Sequence, residues 1–92
     1  MRQFLVHDIR DNVGVAVVDI ESGQAVAGAS LDNSHRLQVT ASQPIPLGHK
    51  VALKDLKVGD TVIKYGEDIG KVVANIRAGE HVHVHNLKTK RW

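Results

Sequence analysis

Hydrophobic and polar positions alternate in short stretches along nearly the whole chain, a pattern that indicates β-strands with one buried face. Seven stretches rich in β-branched residues and bounded by turn residues are predicted as strands. They are FLVH (4–7), VGVAVVDI (13–20), RLQVTA (36–41), HKVAL (49–53), DTVIKYG (60–66), GKVVANI (70–76) and HVHVHN (81–86). No window keeps an apolar period of 3.6 residues beyond two turns, and residues 48–53 are the best candidate for a short helix. We therefore expect an all-β fold with at most short helical turns.

A short motif occurs four times, in DIESGQ (19–24), PIPLGHK (44–50), DLKVGD (55–60) and NIRAGE (75–80). Each copy has an Ile or Leu, two further residues and then a Gly. We interpret the copies as structural corners, in which a strand end buries its Ile or Leu and the Gly adopts a positive φ. Three copies carry Asp or Asn before the apolar residue, a side chain able to close an Asx turn.

Two further local features concern turns. The segment KYGEDIGK (64–71) is a hairpin candidate with its turn at residues 66–68. The segment ASLDNSHR (29–36) is the most polar interior stretch, and we expect an exposed loop or a hairpin tip there. In the second corner, Pro44 and Pro46 flank Ile45 and make the backbone rigid, so that His49 and Lys50 follow directly after a fixed corner.

Composition limits the classes of protein to consider. Ninety-two residues predict one domain, 1–92, whose core is built from aliphatic side chains because aromatics make up only 3%. Such a core leaves little room for a deep pocket, so a sizeable ligand is expected on a surface or between subunits. A net charge of +2 with few aromatics does not favour nucleic-acid binding. The absence of cysteine excludes disulfides, and the lack of a long apolar run or signal peptide predicts a cytoplasmic protein without a membrane partner.

Three of the six histidines lie in GEHVHVHN (79–86). On a continuous strand His81, His83 and His85 share one face, and Val82 and Val84 pack into the core. Neighbouring same-face side chains lie about 6.5–7 Å apart. Two of these histidines could therefore share a metal ion, whereas three would span roughly 13 Å.

The ligand set of such an ion could be completed in more than one way. His49 could supply the missing ligand, and so could a carboxylate or a histidine of another chain. A general acid or base is an alternative role, because an unperturbed histidine titrates near pH 6.5. A merely solvated strand face is the third interpretation.

The other polar residues are weaker candidates. Lys50 is either a surface lysine or an anion-binding group. His7 and His35 are expected at the surface, although His7 could join the site. The basic end of the chain closes with Trp92, which we interpret as an anchor on a partner chain because Trp often dominates binding energy at interfaces.

One long segment, IPLGHKVALKDLKVGDTVIKYGEDIGKVVANIRAGEHVHVHNL (45–87), resembles the small SAF-type domain of the altronate and galactarate dehydratase family. That family has a Gly-His-Lys corner, a VIKYG…IG hairpin and a terminal GEHVHVHN in this order. Here they occupy residues 48–50, 62–70 and 79–86, and FLVHDIRDNVGVAV (4–17) extends the resemblance to the start. The resemblance implies a β-clip fold of short strands and hairpins.

The resemblance also implies a function. In the fused dehydratases this domain precedes a much larger catalytic part, so the chain looks like the small (alpha) subunit of a two-chain lyase with a large catalytic (beta) subunit as partner. The implied substrate is a small anionic hydroxy acid. The reaction would remove the proton beside the carboxylate and expel bisulfite from 3-sulfolactate, or water from a sugar acid such as altronate. A divalent metal, iron(II) by family resemblance, would stabilise the charge that accumulates.

Site residues follow from the resemblance only where its motifs match. His83, His85 and His49 are candidate catalytic groups, and His81, His83 and His85 are candidate metal ligands. Lys50 is the candidate for pairing with the carboxylate or sulfonate of the substrate. The alternative from another class is a non-catalytic SAF binding module that recognises a carbohydrate or a partner protein.

Overall fold

The structure, a computed structural model, describes residues 3–7, 10–30 and 36–89, and all regular structure among them is β. Nine strands are present in these ranges: β1 Phe4–Val6, β2 Val13–Ala16, β3 Ala25–Ser30, β4 Arg36–Thr40, β5 Lys50–Ala52, β6 Thr61–Lys64, β7 Glu67–Val72, β8 His81–Val82 and β9 Leu87–Thr89. The predicted all-β class is confirmed. The helix considered for residues 48–53 is wrong, because β5 pairs on both of its edges. In the described part of the chain no helix has the length and apolar character that a membrane crossing requires.

The strands form two sheets. The larger sheet has the order β4-β3-β1-β2-β5-β8, and the smaller one has the order β6-β7-β9. All neighbouring strands run antiparallel except β1 and β3, which are parallel. This order places β8, which begins with the first histidine of the terminal run, beside β5, which begins just after His49.

The four predicted corners are confirmed. Their apolar residues are at most 2% exposed, and their glycines adopt φ values between 85° and 94°. The corners associate in pairs through the isolated antiparallel bridges Ile20↔Ile45 and Leu56↔Ile76. A strand begins two residues after each corner glycine, so the corners set the starting points of β3, β5, β6 and β8.

We expected the Asp or Asn that precedes the apolar residue to close an Asx turn in its own corner, and this expectation is wrong. The side-chain oxygen of this Asp or Asn instead accepts a backbone N–H from the partner corner. The bonds are Leu47 N–H to Asp19 (2.8 Å), Ala78 N–H to Asp55 (2.8 Å) and Val58 N–H to Asn75 (3.0 Å). These side chains therefore hold two corners together, an interaction that sequence proximity alone does not reveal.

Two aliphatic cores fill the molecule, and β2 and β5 contribute to both. Val51 lies in the first core and Ala52 in the second. The first core surrounds Phe4, whose ring is fully buried. Gly14 and Gly28 on the two neighbouring strands leave room for this ring, because a Cβ at either position would overlap it.

A buried asparagine joins the two sheets. The amide of Asn12 donates to the carbonyl of Thr61 (2.9 Å) and accepts the N–H of Ile63 (2.8 Å). These bonds span the irregularity in the β6–β7 register between Val62 and Ile63. Asn12 thus satisfies backbone groups of β6 and fixes the smaller sheet against β2, a role not apparent from the sequence pattern.

Several predicted boundaries differ from the structure. The strands predicted over 13–20 and 70–76 end at Ala16 and Val72, where the chain bends into a corner. Strands β3 and β9 were not predicted, since AVAGAS is poor in β-branched residues and LKT is very short. The hairpin turn lies at residues 65–66, one residue before the predicted position, with positive φ at Tyr65 and Gly66. Residues 31–35 and 90–92, and so most of the predicted loop, His35 and Trp92, lie outside the described residues.

Packing of Phe4 against glycine makes Gly28→Ala destabilising. The new methyl group must displace the ring, and overpacking of this kind costs about 1–3 kcal/mol. We expect urea unfolding to show a loss in this range for Gly28→Ala. The double variant Phe4→Leu/Gly28→Ala should lose less stability than the sum of the two single losses, because the smaller side chain at position 4 relieves the overlap. Additive losses would mean that Phe4 does not impose this constraint.

Candidate histidine site

The second and fourth corners bring two histidines face to face. His49 follows Gly48 directly, and His81 is the first residue of β8. Antiparallel pairing of β5 with β8, through Val51 opposite His81, then sets the two side chains side by side. Nδ1 of His49 lies 2.8 Å from Nε2 of His81, and the ring centroids are 5.0 Å apart.

His49 is available for this contact because its corner differs from the other three. In those corners the residue after the glycine closes the turn, its side-chain oxygen accepting the N–H of the residue three positions earlier. The bonds are Glu21 to Gln24 (3.0 Å), Lys57 to Asp60 (2.8 Å) and Arg77 to Glu80 (2.7 Å). In the second corner the earlier residue is Pro46, which has no N–H to donate. The position after Gly48 is thus released from turn closure and carries an imidazole.

The terminal histidine run is not a continuous strand, so this prediction is wrong. Strand β8 ends at Val82, and residues 83–86 turn the chain into β9. The side chain of Asn86, only 6% exposed, accepts the N–H of His83 (2.9 Å) and donates to the carbonyl of His81 (2.8 Å). These bonds stabilise the turn, and as a result Val84 is 77% exposed instead of packed in the core.

The turn folds the third imidazole back onto the first two. The ring of His83 stacks on His49 with centroids 4.1 Å apart and an interplanar angle of 19°. The His81 and His83 centroids are 5.5 Å apart, closer than neighbouring same-face side chains on a straight strand. His49, His81 and His83 each offer one ring nitrogen, and these three nitrogens all lie within 4.8 Å of one another.

The remaining candidates take different places. His85 is exposed, and its ring lies 5.3 Å from that of His81, outside the group of three nitrogens. Lys50 is half-buried beside the cluster and acts electrostatically on His81 and His83. His7 is exposed and packs edge-on against Tyr65, with ring centroids 5.4 Å apart, so it does not belong to the grouped nitrogens.

Two amide side chains that the sequence analysis did not select support the site. Asn86 builds the turn that carries His83, and Gln43 accepts the N–H of His81 at 2.9 Å. Asn86 ends the motif GEHVHVHN, which was a signal for it. Gln43 precedes Pro44 in the second corner, and nothing local to it indicates contact with residue 81.

Electrostatics at the site favour neutral bases. Burial lowers the pKa of His81, and His49, His85, His83 and Lys50 lower it further. Burial also lowers the pKa of His83, with added repulsion from His49, Lys50 and His85. The pKa of Lys50 is lowered by burial and by Lys64. The interacting groups are all basic, so the arrangement disfavours protons and favours neutral imidazole, the form that binds metal ions.

The three residues fit a metal ion. Nδ1 of His83 is buried and has no hydrogen-bond partner among the described residues, which leaves a lone pair or proton without a role in the fold. Nitrogens that bind one ion at about 2.1 Å lie roughly 3–3.4 Å apart, close to the 2.8 Å between His49 and His81. Imidazole sets suit zinc and iron among other transition metals, and three protein ligands leave coordination positions open.

The fold and the site together define a class: small all-β proteins with paired corners and a cluster of imidazoles. Residues 2–90 match the family described as the altronate/galactarate dehydratase SAF domain. The chain belongs to this family, as its motifs indicated.

Individual relatives refine this assignment. Over 90 residues the chain is 56% identical to (2R)-sulfolactate sulfo-lyase subunit alpha of Chromohalobacter salexigens, a match that covers 97% of this chain and 96% of that protein. A protein of the same name from Paracoccus pantotrophus is 66% identical over 61 residues, covering 66% of this chain and 90% of that one. Altronate dehydratase of Escherichia coli is 45% identical over 89 residues, but the match spans only 17% of that protein. This fold therefore occurs both in a protein of similar length and as a small part of a longer chain.

Protonation of the clustered histidines should destabilise the metal-free chain. Because the pKa values of His81 and His83 lie below 6.5 in the folded state, the unfolded chain binds more protons below that pH. The stability that the neutral histidines contribute is therefore fully present above about pH 6.5, and it is lost as the pH falls through the lowered pKa values of His81 and His83. Thermal unfolding in the presence of a chelator should show a lower midpoint at about pH 5 than at about pH 7.5.

Matched variants separate this effect from general acid destabilisation. A His81→Gln/His83→Gln double variant should lose much of the pH dependence. His7→Gln, which removes an exposed histidine outside the cluster, should retain it. An unchanged pH dependence in the double variant would contradict the assigned electrostatics.

Proposed function

We propose that this chain is the small subunit of a two-chain, metal-dependent lyase that eliminates bisulfite from (2R)-3-sulfolactate to form pyruvate. The convergence of His49, His81 and His83 carries the proposal, because three imidazole nitrogens within 4.8 Å form a ligand set that no single strand supplies. The near-complete match to a sulfo-lyase alpha subunit supports the substrate. We include in this proposal a single SAF-type domain over residues 1–92, iron(II) as the metal and a cytoplasmic location.

The reaction requires removal of a weakly acidic proton. A base takes the proton from the carbon that bears the hydroxyl and carboxylate, and the electron pair forms a double bond to the neighbouring carbon. The C–S bond there breaks, and sulfite leaves with its electron pair. The enol that remains tautomerises to pyruvate. When bound, a divalent metal supplies positive charge to the carboxylate and hydroxyl oxygens and so stabilises the charge that develops.

The positions of the residues divide the chemical roles among them. His49, His81 and His83 would hold the metal, since they form the group of close nitrogens. His85 lies beside His81 but is exposed and outside that group, so it is the histidine of the terminal run that remains for proton transfer to or from substrate. Lys50, half-buried next to the imidazoles, would pair with the carboxylate or sulfonate of the dianionic substrate.

The site needs a partner chain for completion. The grouped ligands among the described residues are all histidines, and the ionisable groups that act on His81 and His83 are all basic side chains. Acidic ligands, further substrate contacts and the walls that exclude water would come from a large catalytic subunit. The word alpha in the names of the two sulfo-lyase relatives is consistent with such a partner.

A second candidate is the small subunit of a sugar-acid dehydratase, in which water leaves in place of bisulfite. It is favoured by the 45% identity to altronate dehydratase of Escherichia coli across 97% of this chain. The same histidine site would serve both reactions, since each begins with proton removal beside a carboxylate. A non-catalytic SAF binding module is the third candidate, and it predicts that the histidines are dispensable for turnover.

Turnover by the assembled enzyme tests these candidates. The chain would be co-purified with the large lyase chain of the same genome, and sulfite and pyruvate release from 3-sulfolactate would be followed beside keto-acid release from altronate. We expect sulfite release, with losses of about 100-fold or more in His83→Ala and His85→Ala. His7→Ala should retain full activity. Keto acid from altronate alone would support the dehydratase, and full activity in both site variants of an intact complex would support a binding module.

Metal binding by the chain alone tests the ligand assignment without turnover. Titration with Co(II) under anaerobic conditions, followed by visible absorption and calorimetry, should show one site per chain. His49→Ala and His83→Ala should each weaken binding by at least about 10-fold, whereas His7→Ala should have no effect. Chelation should lower the thermal midpoint of the loaded wild-type chain, because an ion that binds only the folded state stabilises it. Equal affinity in all variants would refute the three-histidine site.

A further inference from the structure

We propose that a groove next to the histidine turn is the surface on which the large subunit docks, and that it receives an apolar side chain flanked by carboxylates. We call this surface the Val84 groove; it has a volume of about 350 Å³ and is lined by Val73, Val84, Leu87, Lys88 and Thr89. The inference rests on the proposed function, which supplies the identity of the partner.

Val84 is held in an exposed position by well-defined bonds. Its turn is fixed by the Asn86 side chain, and the backbone N–H of Asn86 also donates to the carbonyl of His83 at 3.1 Å. The exposure of Val84, 77%, exceeds the 61% of Leu47 and of Val58, the other strongly exposed aliphatic residues of the described chain. An aliphatic side chain held in water contributes no hydrophobic free energy to folding. When a partner covers it, its burial contributes that free energy to binding.

The rest of the groove is continuous with this turn. Val73 is 48% exposed, and its N–H donates to the carbonyl of Asn86 at 2.9 Å, which ties it to the same turn. The opposite wall is formed by β9, which pairs with β7 alone in the described sheet and leaves its other edge open. The buried hydroxyl of Thr89 has no hydrogen-bond partner among the described residues. An open strand edge with an adjacent apolar groove is a surface that protein partners commonly use.

The position of Val84 identifies the occupant. It lies between His83 and His85 in the histidine turn, so a chain that reaches a metal or substrate at the histidines comes close to Val84. In altronate dehydratase of Escherichia coli the matching segment is 17% of one longer chain, and covalent linkage keeps the two parts together. As the small subunit of a two-chain enzyme, the chain would need a surface that holds the large chain non-covalently.

Charge defines the chemistry of the partner surface. Lys88 lies at the groove, and no acidic residue is among the residues that line it. Lys50, which acts on the histidine site, adds positive charge nearby. The complementary surface is therefore an apolar side chain for the groove with Asp or Glu around it. Such complementarity raises the association rate and makes it sensitive to salt.

Binding measurements with matched variants test this docking surface. The probe is the large lyase chain of the same genome, used with the full small chain, and affinity is measured by calorimetry or surface-based binding. Val84→Asp should weaken the complex by about 100-fold or more, because it places a carboxylate in an apolar contact that faces acidic residues. Val58→Asp is the matched control, an exposed valine of another turn outside the groove, and should change affinity less than about 3-fold.

Further measurements keep the interpretation clear. Both variants should unfold at the wild-type midpoint and bind Co(II) as the wild type does, since neither changed side chain is buried or is a ligand. Val73→Gln should also weaken the complex, and raising the salt concentration should weaken binding of the wild type. If Val84→Asp and Val73→Gln bind as tightly as the wild type, the docking inference is wrong, whatever the complex catalyses.

Two other results would overturn the inference in different ways. If Val84→Asp dissociates a homodimer of the small chain and leaves binding of the large chain intact, the groove is occupied by a second copy. If the wild type binds no large chain and forms no active enzyme with it, the proposed function fails together with its docking surface. An inactive complex that still depends on Val84 would retain the docking surface and reject only the assigned reaction.

Discussion

The paired corners are the constraint on which the rest of the structure depends. Each corner buries one Ile or Leu, turns at a glycine of positive φ and starts a strand two residues later. Because the bridges Ile20↔Ile45 and Leu56↔Ile76 pair the corners, the starting points of four strands are set relative to one another. The side chains of Asp19, Asp55 and Asn75 reinforce these pairs by binding N–H groups across them. Short strands with an aliphatic core can then adopt one register, although few aromatic side chains are available to specify it.

The histidine site arises where this repeat is modified. In three corners the side chain after the glycine closes the turn by accepting a backbone N–H. The second corner has no such bond, because Pro46 lacks the N–H that would donate it. His49 therefore lies at a rigid position, pointing to a neighbour rather than to its own turn. The fourth corner contributes His81 from the adjacent strand, and the Asn86 turn contributes His83. The site geometry is thus fixed by backbone pairing and by the amide side chains of Asn86 and Gln43, which hold imidazoles better than a flexible loop could.

The same site is costly for the isolated chain. Burial disfavours the charged forms of Lys50, His81 and His83, and repulsion by neighbouring basic side chains disfavours them further. Nδ1 of His83 has no partner among the described residues, and Val84 is exposed beside it. A metal ion, an anionic substrate and a large subunit with acidic groups would each relieve one of these deficits. A chain whose site is incomplete in charge, ligands and apolar cover is suited to function within a complex, and this agrees with the lyase-subunit names of its relatives.

Local physics explains what the sequence by itself determined. Period-two alternation and β-branched residues are sufficient for the all-β class, and the repeated Ile or Leu followed three residues later by Gly indicates the corners, although Ile63 and Gly66 have the same spacing in a hairpin. The family also follows from motifs in the sequence, and these motifs contain all four histidines that were candidates for the site. Tertiary structure decided which histidines meet, because His49 and His81 are 32 positions apart and come together only through β5–β8 pairing. It also ended β8 at Val82, since the buried Asn86 binds groups at residues 81 and 83 and overrides the alternating pattern that favours a longer strand.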